Sequence, residues 1–290
     1  MRDRLPFATC DVFTDRPFAG NPLAIVERAD GLSTAQMQTI AREFNLSETI
    51  FVMAPRDPAN DARVRIFFPT AEIPFAGHPT IGCALHLAGR TGARRIVLEE
   101  EAGLVPVTIA DGLAEFTAPV LPGPTGVDVP VALLAAALDL DPAQIGPHAP
   151  AVHAGGPAFL FVPLPDLATL ARARVIEPHW SRLMTACAVN SAYLYAPGRG
   201  SDWQARMYSP ADGIPEDPAT GSASAILAAQ LLRHGALQDG ETVLTLAQGV
   251  EMGRPSQLRL TARVVEGHLA EVRIAGRAVP ISTGTIAVPA

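Results

Sequence analysis

Arg65-Ile66-Phe67-Phe68-Pro69 recurs 141 positions later as Arg206-Met207-Tyr208-Ser209-Pro210. Ile73-Pro74 recurs at the same offset as Ile214-Pro215. After a two-residue deletion, His78-Pro79-Thr80-Ile81-Gly82-Cys83-Ala84 lies over Asp217-Pro218-Ala219-Thr220-Gly221-Ser222-Ala223. Both copies read strand, proline-bearing loop and helix start in that order, and both contain Pro-x-x-Gly-x-Ala. The offset is close to half of the 290 residues. That suggests one domain duplicated, since solenoid repeats have periods of roughly 20–50 residues.

The elements around the repeat follow the same plan twice. Phe7–Phe13, Leu23–Val26, Ile50–Met53 and Arg65–Phe68 read as strands, with Pro69–Gly77 as a loop. Ser33 with Gln36 is a capping-box signature that opens a helix through about Phe44, with Met37, Ile40, Ala41 and Phe44 on one face. A second helix begins near Pro79. In the other half Phe159–Val162, Ala192–Tyr195 and Arg206–Tyr208 read as strands, Asp166–Ala173 as a helix start, and a helix begins at Pro218. Strands at Thr242–Leu246, Gln257–Val265 and Leu269–Ile274 finish the pattern. Pro119–Pro130 is the expected linker, which predicts domains at 1–118 and 119–276.

Composition narrows the function classes. Apolar residues make up 48% and charged residues 18%, enough for a buried core. A net charge of −7 without Lys/Arg clusters argues against nucleic acid or an anionic membrane as partner, because both require a basic footprint. Cys10, Cys83 and Cys187 are dispersed and odd in number, which fits a reducing cytoplasm better than a disulfide framework. The N-terminal Met1-Arg2-Asp3-Arg4-Leu5-Pro6 has no apolar region behind its charges, so no secretory signal is expected. Val131–Leu138 and Ala223–Leu232 fall short of the ~20 apolar residues that span a bilayer and read as core helix.

The two matched helix starts carry the candidate chemistry. Proline is favoured at the first helical position, which predicts Pro79 and Pro218 there and His78 and Asp217 as N-caps. Asp is a preferred cap and His is not, so His78 stands out. Small residues follow in each first turn, Gly82, Cys83 and Ala84 in one and Gly221, Ser222, Ala223 and Ser224 in the other. A helix N-terminus attracts carboxylates, so two such ends facing each other across a cleft would grip the acidic end of a small substrate. Purely structural roles for Asp217 and Gly221 are the alternative. Glu48 sits in Leu46-Ser47-Glu48-Thr49, where a helix passes into an apolar strand. Burial there would suit it to general-base work; an exposed Glu beginning a strand is the alternative. Ser47 is either a substrate donor or a turn hydroxyl.

Other chemistries lack support. His78 and His86 are two helical turns apart, too far to share a metal, and no metal-spaced His/Cys/carboxylate cluster occurs. Dinucleotide, P-loop and nucleophile-elbow motifs are missing, so no metal and no cofactor are expected. Gln248-Gly249-Val250-Glu251-Met252-Gly253-Arg254-Pro255-Ser256 reads as a polar link between strands, with Arg254 able to join a domain or subunit contact.

Taken together, several segments resemble the PhzF-like family of isomerases, named for an enzyme of phenazine biosynthesis. They are Asp11-Val12-Phe13-Thr14 with Phe18-Ala19-Gly20-Asn21-Pro22, Asn45-Leu46-Ser47-Glu48-Thr49, and Arg65-Ile66-Phe67-Phe68-Pro69-Thr70. Pro74-Phe75-Ala76-Gly77-His78-Pro79-Thr80, Gly213–Ala223, and Gln248-Gly249 with Gly253-Arg254-Pro255-Ser256 complete the likeness, which covers nearly the whole chain. The resemblance implies the diaminopimelate-epimerase-like α+β fold. That fold has two similar domains related by a pseudo-twofold, each a curved sheet or open barrel wrapped around a central helix. It implies that the last strand, Val279–Val288, returns to the first domain, assigning 277–290 there. It also implies a homodimer that shifts a proton on a small carboxylate-bearing substrate, such as a dihydro-hydroxyanthranilate ring, by general acid/base catalysis. Under that reading Glu48 matches the family's proton-carrying glutamate, and His78 and Asp217 its supporting polar pair. Gly77, Gly221 and Ser222 match its substrate-carboxylate contacts, and Ser47 is a further substrate-binding candidate from its place beside Glu48. The epimerases of this fold use two cysteines, one per helix start; here Cys83 lies inside a helix with no counterpart in the second copy. A binding protein without turnover, and an epimerase with a non-cysteine acid/base pair, are the other readings of the same residues.

Overall fold

The computed structural model describes residues 4–290. Met1, Arg2 and Asp3, part of the charged N-terminal stretch read above, lie outside the described residues. The chain has a mixed α+β fold that divides into two compact units. One runs through Thr117 and is completed by Ala275–Ala290; the other is Ala118–Ile274.

In the first unit β1 (Arg4–Val12) pairs antiparallel with β2 (Asn21–Val26). The chain then crosses through α1 (Thr34–Phe44) to β3 (Glu48–Met53), which lies parallel to β2. The capping box forms as predicted. Ser33 Oγ accepts from the Gln36 amide at 3.2 Å, and Gln36 Oε1 accepts from the Ser33 amide at 2.9 Å. Met37, Ile40 and Ala41 bury one face of α1 against Val26, Phe51 and Phe67. Burying each large side chain contributes about 1.5–3 kcal/mol. Next come β4 (Ala62–Phe67), β5 (Glu72–Ile73), α2 (Gly77–Thr91), β6 (Arg95–Glu100), β7 (Gly103–Ala110) and β8 (Leu113–Thr117). β4 pairs antiparallel with β3 and β5 and parallel with β6; β6, β7 and β8 form a meander. These last three strands are not in the sequence reading, and Pro106 sits in the middle of β7, where proline argues against a strand.

The second unit repeats the plan. β9 (Gly123–Pro124), α3 (Val131–Ala137), β10 (Ala151–Ala154) and β11 (Ala158–Pro163) lead through α4 (Leu167–Arg172) and α5 (His179–Cys187) to β12 (Ala192–Pro197), parallel to β11. β13 (Trp203–Ser209) pairs antiparallel with β12 and with β14 (Ile214–Asp217). After α6 (Gly221–Arg233), β15 (Gly240–Gln248) lies parallel to β13 and antiparallel to β16 (Ser256–Val265). The expected linker is partly structured, since β9 pairs with β10 and the Thr125 amide donates to the Val152 carbonyl. β17 (His268–Gly276) leads to β18 (Ala278–Ala287), which pairs with β1 along Arg4–Val12 in the first unit.

The duplication therefore extends to the pairing itself. β2–β3 and β4–β6 are parallel in one unit, β11–β12 and β13–β15 in the other, and each parallel pair is joined by a helical crossover, as parallel strands require. It reaches side chains too. Arg65 on β4 donates to Glu72 on β5, and Arg206 on β13 donates to Glu216 on β14. Each guanidinium also lies over the aromatic ring two residues on, Phe67 and Tyr208. α2 packs against β1, β2, β3, β6, β7, β8 and β18, and α6 against β9, β10, β11 and β16, so each unit's strands surround its central helix. Gly82 allows this in α2, because a Cβ there would come within 2.6 Å of Leu23 and 2.8 Å of Val12.

The predicted caps require correction. α2 starts at Gly77 with Ala76 as N-cap, placing His78 and Pro79 second and third in the helix. α6 starts at Gly221 with Thr220 as N-cap, so Asp217 ends β14 and Pro218 occupies a bend. The reason lies outside the local sequence. Gln248 Oε1 accepts from the Thr220 amide, holding 217–220 out of the helix.

Candidate active site

Glu48 opens β3, a strand buried on both faces, and is itself 7% exposed. Its register partner on β2 is Leu23, two residues past Asn21. Asn21 is fully buried, and His78, in the first turn of α2, is 2% exposed. Three elements thus bring a carboxylate, an amide and an imidazole together.

Their distances define the chemistry. Asn21 Nδ2 lies 3.2 Å from His78 Nδ1. Glu48 Oε2 is 3.0 Å from the same nitrogen, an ion-pair distance, yet has no aligned hydrogen-bond partner. An imidazole nitrogen carries either one proton or one lone pair. If Nδ1 accepts from Asn21, the ring proton sits on Nε2; Glu48 Oε2 is a buried carboxylate oxygen with no hydrogen bond. A buried acceptor in that state is costly to keep and calls for a reason. Proton transfer from Glu48 to Nδ1, or the reverse, needs no movement beyond hydrogen-bond realignment.

Ser47 lies in the bend before β3 and is half-buried, while Gly77 is buried as the first residue of α2. The thiols of this unit are unsuited to proton transfer. Burial, with a contribution from Asp11, pushes Cys10 up to about 12, and burial raises Cys83 further.

In the second unit Asp217 is 3% exposed and accepts from Thr220 Oγ1. Gln248 Nε2 donates to the Asp217 carbonyl at 2.8 Å and to Thr220 Oγ1 at 2.9 Å. Ser256 Oγ donates to the Pro218 carbonyl at 2.7 Å. Gly249 has φ 71°, and a Cβ there would meet the Arg254 and Pro218 carbonyls at 2.6 and 2.7 Å. The segment read as a polar link is therefore a clamp on the turn carrying Asp217. Gly221 is buried and Ser222 half-buried at the start of α6. The backbone amides there precede the first intrahelical bonds, where an anion is favoured.

Sequence reasoning assigned no role to Asn21, Thr220 or Gln248. Asn21 and Gln248 were visible as uncharged polar residues at strand ends; their partners were not. Among the described residues no three His, Cys, Asp or Glu side chains could hold a metal ion together, and no helix is long and apolar enough to cross a membrane.

A duplicated α+β unit, each copy's strands surrounding a central helix, is the architecture of the diaminopimelate-epimerase-like class of proteins. A family model described as "Phenazine biosynthesis-like protein" matches residues 10–284. An uncharacterized isomerase of Mesorhizobium japonicum is 42% identical over 95% of this chain and 96% of its own length. The trans-2,3-dihydro-3-hydroxyanthranilate isomerase of Pseudomonas chlororaphis is 37% identical over 97% and 98%. A Bacillus anthracis phenazine biosynthesis protein of the PhzF family superposes with a TM-score of 0.88 over 98% of this chain and 99% of its own, at 24% identity. The chain belongs to the PhzF family, and it is an isomerase.

Proposed function

We propose that this isomerase moves a proton within a small carboxylate-bearing substrate, with Glu48 as base and then acid and without a cofactor. The observation that carries the reading is Glu48 Oε2, buried and without a hydrogen bond beside His78. In the first step the carboxylate takes a proton from a carbon whose electron pair can delocalise toward the substrate's conjugated acid. In the second it returns the proton to another carbon, so one C–H bond breaks, one forms and nothing is oxidised. His78 accepts from Glu48 once the carboxyl group is protonated, the Nδ1 lone pair then turning from Asn21 to the acid 3.0 Å away. Asp217 is the third proposed catalytic group, and Gly221 and Ser222, with Ser47 and Gly77, are the proposed substrate contacts. The Pseudomonas relative's named substrate, a dihydro-hydroxyanthranilate, has the required acid and unsaturation and is the first compound to try. The proposed setting is the cytoplasm and the proposed assembly a homodimer, which sedimentation would check.

Glu48→Gln preserves shape and removes basicity. A positioned acid–base group contributes roughly 10²–10⁴-fold, and turnover should fall by about that much. Wild type incubated with the substrate in deuterated water should place deuterium at the receiving carbon in proportion to exchange from Glu48. Unchanged turnover in the Gln variant would remove Glu48 from the mechanism.

A further inference from the structure

Glu100 ends β6 and is 8% exposed, inside the first unit. Its Oε1 lies 2.7 Å from Thr80 Oγ1, while Oε2 has no hydrogen-bond partner. Thr80 Oγ1 is also 2.8 Å from the Ala76 carbonyl. A threonine hydroxyl has one proton and two lone pairs. It can serve both neighbours only if it donates to one and accepts from the other. A carbonyl oxygen cannot donate, so the arrangement that gives every close pair its own proton has Glu100 protonated and donating to Thr80 Oγ1.

The surroundings agree. On α2 Glu100 interacts with Cys83, a thiol kept neutral by burial. β7, which sets Gly103 opposite Glu100, has no ionisable side chain. On β4 Arg63 donates to the Met53 sulfur and Arg65 is taken by Glu72. The adjacent Glu99 is engaged by Asn60 and the amides of Arg56 and Asp57. Among the described residues Glu100 has no ion pair, and burying an unpaired carboxylate is costly. Burial pushes its pKa up to about 8, with the Thr80 hydrogen bond acting the other way.

We propose that Glu100 is a positioning residue for His78: its neutral carboxyl group donates to Thr80, Thr80 donates to the Ala76 carbonyl, and this chain fixes the turn that carries His78. Ala76 is the N-cap of α2, with no capping bond from its own side chain, and His78 lies between it and Thr80. Ionising Glu100 would draw the Thr80 hydroxyl proton to the carboxylate and leave the Ala76 carbonyl with only the longer bond from the Thr80 amide, at 3.3 Å. The bearing on turnover rests on the isomerase reading; the state of Glu100 does not.

The test uses infrared difference spectra of the whole protein against Glu100→Gln. At neutral pH the wild type should show the carbonyl stretch of a protonated carboxyl group that the variant lacks, and it should fade with a midpoint of about 8. Nitrogen NMR of the His78 ring should shift with the same midpoint in wild type and stay constant through that range in the variant, a response that packing alone would not produce. A raised carboxyl pKa also means that stability falls as pH rises from the unfolded value near 4.5 through about 8. The melting-temperature advantage of Glu100→Gln should therefore grow over that window and then level off. Should Glu100→Gln fail to fold, Thr80→Val keeps the shape and should move the carboxyl band to higher frequency. A band missing at neutral pH, or a His78 ring indifferent to the titration, would overturn the proposal, and neither outcome depends on whether Glu48 proves catalytic.

Discussion

His78 Nδ1 has room for one proton and two neighbours competing for it. Asn21 holds the nitrogen as an acceptor, which leaves Glu48 its own charge and its own lone pair. In Asn21→Ala that restraint is gone, and Nδ1 is free to take a proton and donate it to Glu48. The base would then be neutralised by its neighbour. One hydrogen bond has a net value of ~0.5–1.5 kcal/mol, so turnover should fall roughly tenfold at the upper end, with the His78 ring titrating at higher pH by NMR. A variant whose ring titrates as in wild type would refute the competition. Both Glu48 and His78 are legible as candidates in the sequence, one from a helix-to-strand junction and the other from an unusual residue beside a helix-starting proline. Their competition over a single nitrogen is not legible, because Asn21 is 57 residues from His78 and comes from a different strand.

At the scale of elements, boundaries follow local chemistry where a helix caps itself and depart from it where another element intervenes. α1 has its own capping box and an αL residue, Asn45, at its end, and its limits could be read directly. α6 does not. Gln248 on β15 takes the Thr220 amide and donates to the Asp217 carbonyl, so the helix begins three residues later than Pro218 suggests. Gln248→Ala would leave these buried groups unsatisfied, at a cost of about 1–3 kcal/mol each. Thermal unfolding should detect a loss of at least about 2 kcal/mol. A melting temperature within error of wild type would mean the clamp is redundant with the Ser256 and Gly249 contacts. The β6–β8 meander is the opposite failure, a region with strand-forming residues whose pattern Pro106 interrupts.

For the whole molecule, the last strand matters out of proportion to its position. β18 supplies the partner of β1 along its length, and Ile286 packs against the cluster beneath α1. Ending the chain after Arg277 would expose the β1 edge and open that cluster. Hydrogen exchange should then show loss of protection in β1–β3 while α6, β15 and β16 stay protected, since each unit has its own core. Uniform loss in both units would contradict this.

Residue order alone determined the duplicated plan, α1 with its caps, and Glu48 and His78 as the residues to watch. Each of these rests on periodicity or cap chemistry within a dozen neighbouring residues, or on comparing one stretch with another. Tertiary structure alone decided where α6 begins, which groups share His78 Nδ1, and that Glu100 lies against Thr80. Those outcomes depend on hydrogen bonds between residues 20 to 57 positions apart, and such partners exist only once the strands have paired around their helices.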